Sequence, residues 1–265
     1  MKRTQLLSSG LAVRQDFSDA VRAVFFQTEY DEFFYATHGG TLFIVSFQKR
    51  LYGLTCKHVF GDFQLGKLFV TQEKHAKKGS MPAPVTCLCF PSTPSDDAAG
   101  TDVIDICAIQ FAEDISPDFF KGNHYIIDKK TVGTSKVGHE LHVVGVLKDK
   151  SGIIPPDITM GFCELQMHDA GPTTFDPFLR TAKAKFNRPD FTNLVGISGS
   201  PVFDHTANVL CGMVVRGGML GDKCTVYYID ITDIIRVLES FASGATRMQY
   251  IKNIVPARQR LFPMD

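Results

Sequence analysis

Apolar and polar positions trade places in short runs along most of this chain. Thr41–Phe47 gathers β-branched and aromatic residues, Gln48-Lys49-Arg50 is polar enough to turn, and residues 51–55 return as a second apolar run. Runs of this length, bounded by turn residues, predict strands. The same reading gives strands at 67–71, 85–90 and 104–111, then at 140–147, 161–168, 201–203, 209–215 and 224–229. Residues 91–100, rich in Pro, Ser and Asp, predict an exposed loop. Residues 169–194, with Gly171-Pro172 and Pro177, predict a longer one. The period changes once: Ile234, Ile235, Leu238 and Phe241 recur at helical spacing behind Asp230 or Thr232 as a cap, so a helix is expected over 231–241. Near the start, Ser18-Asp19 is placed to cap a short helix over 20–26, and the same residues read equally well as a strand. Many short strands with one terminal helix predict an all-β chain of two small antiparallel barrels rather than βαβ units.

Composition narrows the function classes. The 265 residues are enough for one or two domains with a large core. Lys plus Arg and Asp plus Glu stand at 28 each, so no one-signed field argues for nucleic acid or a lipid surface as partner. No window approaches the roughly 18 apolar residues of a membrane span, and the apolar run after Lys2-Arg3 is too short for a secretory signal. The seven cysteines are odd in number and mostly sit in strand-like runs, which fits a reduced, cytoplasmic protein. Cys87-Leu88-Cys89 offers two thiols on one face, but no second ligand pair stands near it, so no metal or organic cofactor is expected. With 22 Phe and no Trp, the aromatic core must be Phe and Tyr.

Three segments carry candidate chemistry. Thr55-Cys56-Lys57-His58 places a histidine at a strand end, Asp105-Ile106-Cys107-Ala108-Ile109 places a carboxylate at the lip of another, and Gly196-Ile197-Ser198-Gly199-Ser200-Pro201 sets a serine in a tight turn. A serine hydroxyl needs a neutral imidazole to take its proton, and that imidazole needs its far nitrogen held by a carboxylate. His58, Asp105 and Ser198 are therefore the candidate catalytic set. Asp105 is preferred to Asp102 because the apolar run follows it directly. The amides of Gly196 and Ser198 are the candidate oxyanion hole. A nucleophile elbow of the α/β-hydrolase kind requires Gly where Ser200 stands, and the order His, Asp, Ser also differs from it.

With these motifs in this order, residues 36–242 resemble the trypsin-like serine peptidases of the chymotrypsin fold, nearest to the intracellular, HtrA-type members. Gly212-Met213-Val214-Val215-Arg216-Gly217 resembles that family's specificity strand. The resemblance implies two six-stranded antiparallel β-barrels with a C-terminal helix. It implies an N-terminal extension at 1–35, a first barrel with His and Asp at 36–130, a second with Ser at 131–242, and a tail at 243–265. It also implies a serine endopeptidase working through an acyl-enzyme on a polypeptide, with a regulatory protein partner possible. Thr192, Val195, Val215, Arg216, Gly217 and Thr225 would meet the substrate. Thr192 stands where the trypsin subgroup has its pocket-floor aspartate, so an uncharged primary side chain is expected. Ile197 stands where secreted members carry the acid that pairs with a freshly cut N-terminus, so control without N-terminal processing is expected. Arg216 either narrows the cleft or reads an acidic group. The alternative is a catalytically silent peptide-binding or scaffolding module on the same fold, and Ile197 and Arg216 are its motivation.

Overall fold

The computed structural model describes residues 17–30, 33–36, 39–62, 65–75, 80–91, 105–112, 115, 117–154, 157–185, 193–220, 223–243 and 247–250. In the first half, β1 (Val21–Tyr30), β2 (Phe33–Ala36), β3 (Thr41–Phe47), β4 (Arg50–Cys56), β5 (Leu68–Thr71), β6 (Pro82–Phe90) and β7 (Ile106–Phe111) are followed by the short β8 (Tyr125–Ile126). Because β1 pairs with both β3 and β5, the ring β1-β5-β6-β7-β4-β3 closes as a six-stranded antiparallel barrel. In the second half come β9 (Glu140–Val146), β10 (Gly152–Ile154), β11 (Asp157–Thr159), β12 (Phe162–Pro172), β13 (Leu179–Lys185), β14 (Pro201–Asp204), β15 (Val209–Leu220) and β16 (Lys223–Asp230). Six of these close as β12-β13-β16-β15-β14-β9. Helix α1 (Ile231–Ala242) follows, and β17 (Arg247–Tyr250) comes last. The architecture is the expected one: two six-stranded antiparallel barrels and a C-terminal helix.

Pattern explains most of this. Along β12, Leu165, Met167 and Asp169 point inward while Glu164, Gln166 and His168 are exposed, the period of a half-buried strand. Asp230 caps α1 by accepting from the Thr232 N–H at 2.9 Å, and Ile234, Leu238 and Phe241 form its buried face. Phe241 meets Tyr52 of the first barrel edge-on, 5.4 Å between ring centres. Gln48 and Lys49 turn with positive φ between paired Phe47 and Arg50, a two-residue hairpin made without glycine. Among the described residues, no helix is long and apolar enough to cross a membrane.

The structure closes one reading the sequence left open and departs from the sequence expectation at two segments. Val21–Tyr30 is a barrel strand, not a helix, because Val21 through Phe26 are buried one after another, which no single helical face permits. The first barrel thus begins inside the stretch read as an N-terminal extension. Residues 179–185, expected within a loop, form β13, where only Leu179 and Ala182 are fully buried among polar neighbours and the apolar signal is thin. In the stretch read as a tail, β17 extends the edge of β6 beyond β5, pairing Cys87–Phe90 where β5 has stopped at Pro84.

Each barrel also carries a buried charge. Arg22 is fully buried, and its guanidinium donates to the carbonyls of Asp19, Val21, Thr71 and Gln72. Burial lowers its pKa to about 10. In the second barrel, Asp169 accepts from Arg180 and from the Tyr228 hydroxyl, each at 2.7 Å. Burial alone would raise the Asp169 carboxyl, but the hydrogen bonds from Arg180 and Tyr228 outweigh it and hold the carboxyl below its usual range. Cys87 and Cys89 lie in the core with their sulfurs 3.8 Å apart, and burial pushes the Cys89 thiol up. None of the seven cysteines is in a disulfide.

Candidate functional site

Strand register builds one wall of the site. β4 pairs with β7 through Cys56 opposite Ile106, so the residues just beyond that pair, Lys57-His58 and Asp105, emerge side by side. A 3₁₀ turn over Lys57–Phe60 is anchored by buried Val59 and Phe60 and leaves His58 exposed. Asp105 grips it twice: Oδ2 lies 2.5 Å from His58 Nδ1, and Oδ1 accepts from the His58 backbone N–H at 3.0 Å.

The opposite wall is a turn that only glycine permits at two positions. Gly196 has φ +105° and Gly199 φ +87°. A Cβ on Gly199 would lie 1.9 Å from the Thr41 carbonyl oxygen, and one on Gly196 would lie 2.5 Å from that of Val146. Thr41, from the first barrel, ties the turn down. Its N–H donates to the Ser198 carbonyl at 2.9 Å, its hydroxyl donates to the Gly196 carbonyl at 2.8 Å, and that hydroxyl accepts from Val146 N–H at 2.8 Å. Ile197 is buried in the second core beside Leu194 and Val226, which explains an apolar residue where an acid was absent.

Between these walls lies a cavity of about 520 Å³. His58, Asp105, Gly196 and Ser198 line it together with Val195, Val215, Arg216 and Gly217. Lys148, Asn193, Gly218 and Met219 line it too. Nothing in the sequence singles these out, since they reach the cavity only through the barrel closures. Thr225, on β16 opposite Gly218, is not part of this wall, and Thr192 lies outside the described residues. Arg216 emerges at a β-bulge after Val214. Its guanidinium lies 5.5 Å from the ring centre of Phe175 and 5.8 Å from that of Tyr227.

The hydrogen bonding corrects the expected chemistry. The Ser198 hydroxyl donates to the Val215 carbonyl at 3.0 Å, so its proton is directed at the backbone and not at His58. Among the His, Cys, Asp and Glu side chains of the described residues, those that cluster with His58 are Asp105 and Cys56, their ligand-type atoms all within 4.8 Å of one another. The Ser–His–Asp triad read from the motifs is therefore not assembled, and with it falls the assignment of the chain as a trypsin-like serine endopeptidase. Cys56 does not replace Ser198, because it is fully buried and its thiol donates to the Val214 carbonyl. Nor is the cluster shaped for a metal ion. A spacing of 2.5 Å between His58 Nδ1 and Asp105 Oδ2 is that of a short hydrogen bond, whereas two ligand atoms on one zinc stand about 3.3 Å apart.

No protein-family model matches the sequence, and no curated protein matches it. Solved structures do resemble the chain in fold. Neuropsin, a serine protease of mouse brain, aligns with a TM-score of 0.54 at 14% identity, over 87% of this chain and 97% of its own. A scabies mite inactivated protease paralogue aligns with a TM-score of 0.56 at 9% identity, over 86% and 94%. Human heparin binding protein aligns with a TM-score of 0.55 at 11% identity, over 88% and 93%. The fold is thus that of the chymotrypsin-like two-barrel proteins. At these identities the likeness reaches no further, and the same architecture is seen in a protease and in an inactivated paralogue.

Proposed function

We propose that the chain is a catalytically silent module that binds an extended polypeptide in the cleft between its barrels and serves as a scaffold. The observation that carries this reading is the Ser198 hydroxyl, bonded to the Val215 carbonyl while His58 is held by Asp105. The cleft itself is open. Its cavity has room for a side chain with its neighbouring backbone, and β15 runs along it with Arg216, Gly217 and Gly218 exposed. An exposed strand edge of this kind recognises peptides by strand addition. Val195 and Val215 on the wall favour a small or medium uncharged side chain, since an unpaired buried cation is expensive. Seven cysteines outside any disulfide support a reducing compartment such as the cytoplasm.

Fluorescence anisotropy against a library of labelled peptides tests the reading. Peptides are expected to bind without being cleaved and to bind Ser198→Ala equally well. Gly218→Trp should weaken binding by about tenfold or more, because a Cβ there meets open space and the indole enters the cavity. Binding unaffected by Gly218→Trp would place the peptide site elsewhere.

A further inference from the structure

The turn that carries Ser198 uses its backbone donors unequally. Ile197 N–H donates to the Leu194 carbonyl at 3.0 Å, Gly199 N–H to that of Val214 at 2.8 Å, and Ser200 N–H to that of Ile197 at 3.0 Å. Among the described residues, nothing accepts from the N–H of Gly196 or of Ser198. Gly196 is buried, and a buried N–H in a native protein is nearly always paired. Both residues line the cleft cavity, so the acceptor for these two donors comes from that cavity. Gly196 is left-handed at φ +105° and the two residues after it are not, the kind of alternation that makes a backbone concavity for an anion.

The charge beside this turn has the matching sign. Lys148 is fastened to it, its N–H donating to the Val195 carbonyl at 2.8 Å. Its stem runs along Gly39, where an added Cβ would come within 3.0 Å of it. Lys148 is exposed on the cavity wall, and among the described residues its ammonium makes no ion pair. Asp105 on that wall is already engaged by the His58 ring and N–H, and Asp149 beside Lys148 accepts from Asn193 Nδ2. A peptide carbonyl would use the two amides alone. A carboxylate uses the amides and the ammonium together.

We propose that the cleft binds the C-terminal end of a polypeptide, its terminal carboxylate held by the N–H groups of Gly196 and Ser198 and by the Lys148 ammonium. The inference rests on the peptide-binding reading above and names the part of the peptide that is read. The course of β15 favours a main-chain carboxylate over one on a side chain. Its Val215 carbonyl accepts from the Ser198 hydroxyl at 3.0 Å, so a peptide paired along the exposed residues 216–218 meets the turn with its backbone. Capture of a chain end by backbone N–H groups is an established mode of peptide recognition. The last side chain then lies against Val195 and Val215, and the carboxylate completes the site.

Two labelled random-sequence peptide pools test this by fluorescence anisotropy with the full chain. They are identical except that one ends in a carboxylate and the other in a carboxamide. The carboxylate pool should bind about tenfold or more tighter, the effect of hydrogen bonds to a charged group. Lys148→Gln should weaken the carboxylate pool toward the carboxamide value and leave the carboxamide pool unchanged. Carboxamide peptides with Asp or Glu as the last residue should not recover the lost affinity. Equal binding of the two pools by the unmutated chain would overturn the chain-end assignment and leave the peptide-binding reading standing. Recovery through Asp or Glu would overturn it in favour of a side-chain carboxylate. Binding of neither pool would remove the peptide-binding reading itself, and this inference with it.

Discussion

The two barrels hold their halves of the cleft by different means. In the first, His58 and Asp105 sit at adjoining strand ends, and the β4–β7 ladder above an apolar core sets their separation. In the second, Ser198 rides on a turn of two left-handed glycines, fastened by Thr41 from the other barrel. Register alone therefore yields a His–Asp pair, whatever that pair is used for. The Ser198 hydroxyl is set by local turn geometry, which delivers it to the Val215 carbonyl. A wall built by a ladder and a wall built by a turn need not share a chemical purpose, although both keep the residue types of a triad.

The largest effect is expected where the second barrel departs most from an apolar core. Asp169→Ala removes the carboxylate from Arg180, which keeps only the neutral Ser135 carbonyl and Tyr228 hydroxyl, and takes the acceptor from the Tyr228 hydroxyl; breaking such a buried pair costs about 3–5 kcal/mol. The Asp169 carboxyl is held below its usual value in the folded chain, so its stabilisation is present above the unfolded pKa of about 4. That stabilisation is lost as pH falls through the folded value. Urea melts of the wild type and Asp169→Asn should therefore differ most near neutrality and converge in acid. A gap that persists unchanged in acid would contradict this.

A smaller effect separates the two walls. Gly199→Ala forces a Cβ into the Thr41 carbonyl from a left-handed backbone, and the conformational strain alone is about 1–3 kcal/mol. The turn should shift while His58 and Asp105 stay paired. Imidazole proton resonances of His58 that match the wild type, alongside a lowered melting temperature, would confirm separate anchoring. Loss of the His58 signal would show that the walls are coupled. The smallest effect is Ser198→Ala, which removes a single hydrogen bond worth about 0.5–1.5 kcal/mol and should leave the cleft unchanged. Chemical denaturation measures it.

Much of this was legible in the sequence. Strand pattern predicted both barrels, and helical spacing from Ile234 to Phe241 predicted α1. His58, Asp105, Gly196 and Ser198, which the motifs single out, all line one cavity. β1 was ambiguous because a strand buried on both faces loses its alternation, so Val21 through Phe26 fits a buried helix equally well. β13 was missed because it buries little beyond Leu179 and Ala182, its other positions being Lys, Arg, Thr and a half-buried Ala. The direction of one hydroxyl was beyond any motif. Ser198 reads the same whether its proton faces His58 or Val215, and only the path of β15 past the turn decides.

The central claim is that Ser198 is not a nucleophile served by His58. Treating the folded chain with a fluorophosphonate probe and weighing it intact tests this most directly. The account predicts no adduct at Ser198 across probes of different size. A stoichiometric adduct at Ser198 that disappears in His58→Ala would contradict it.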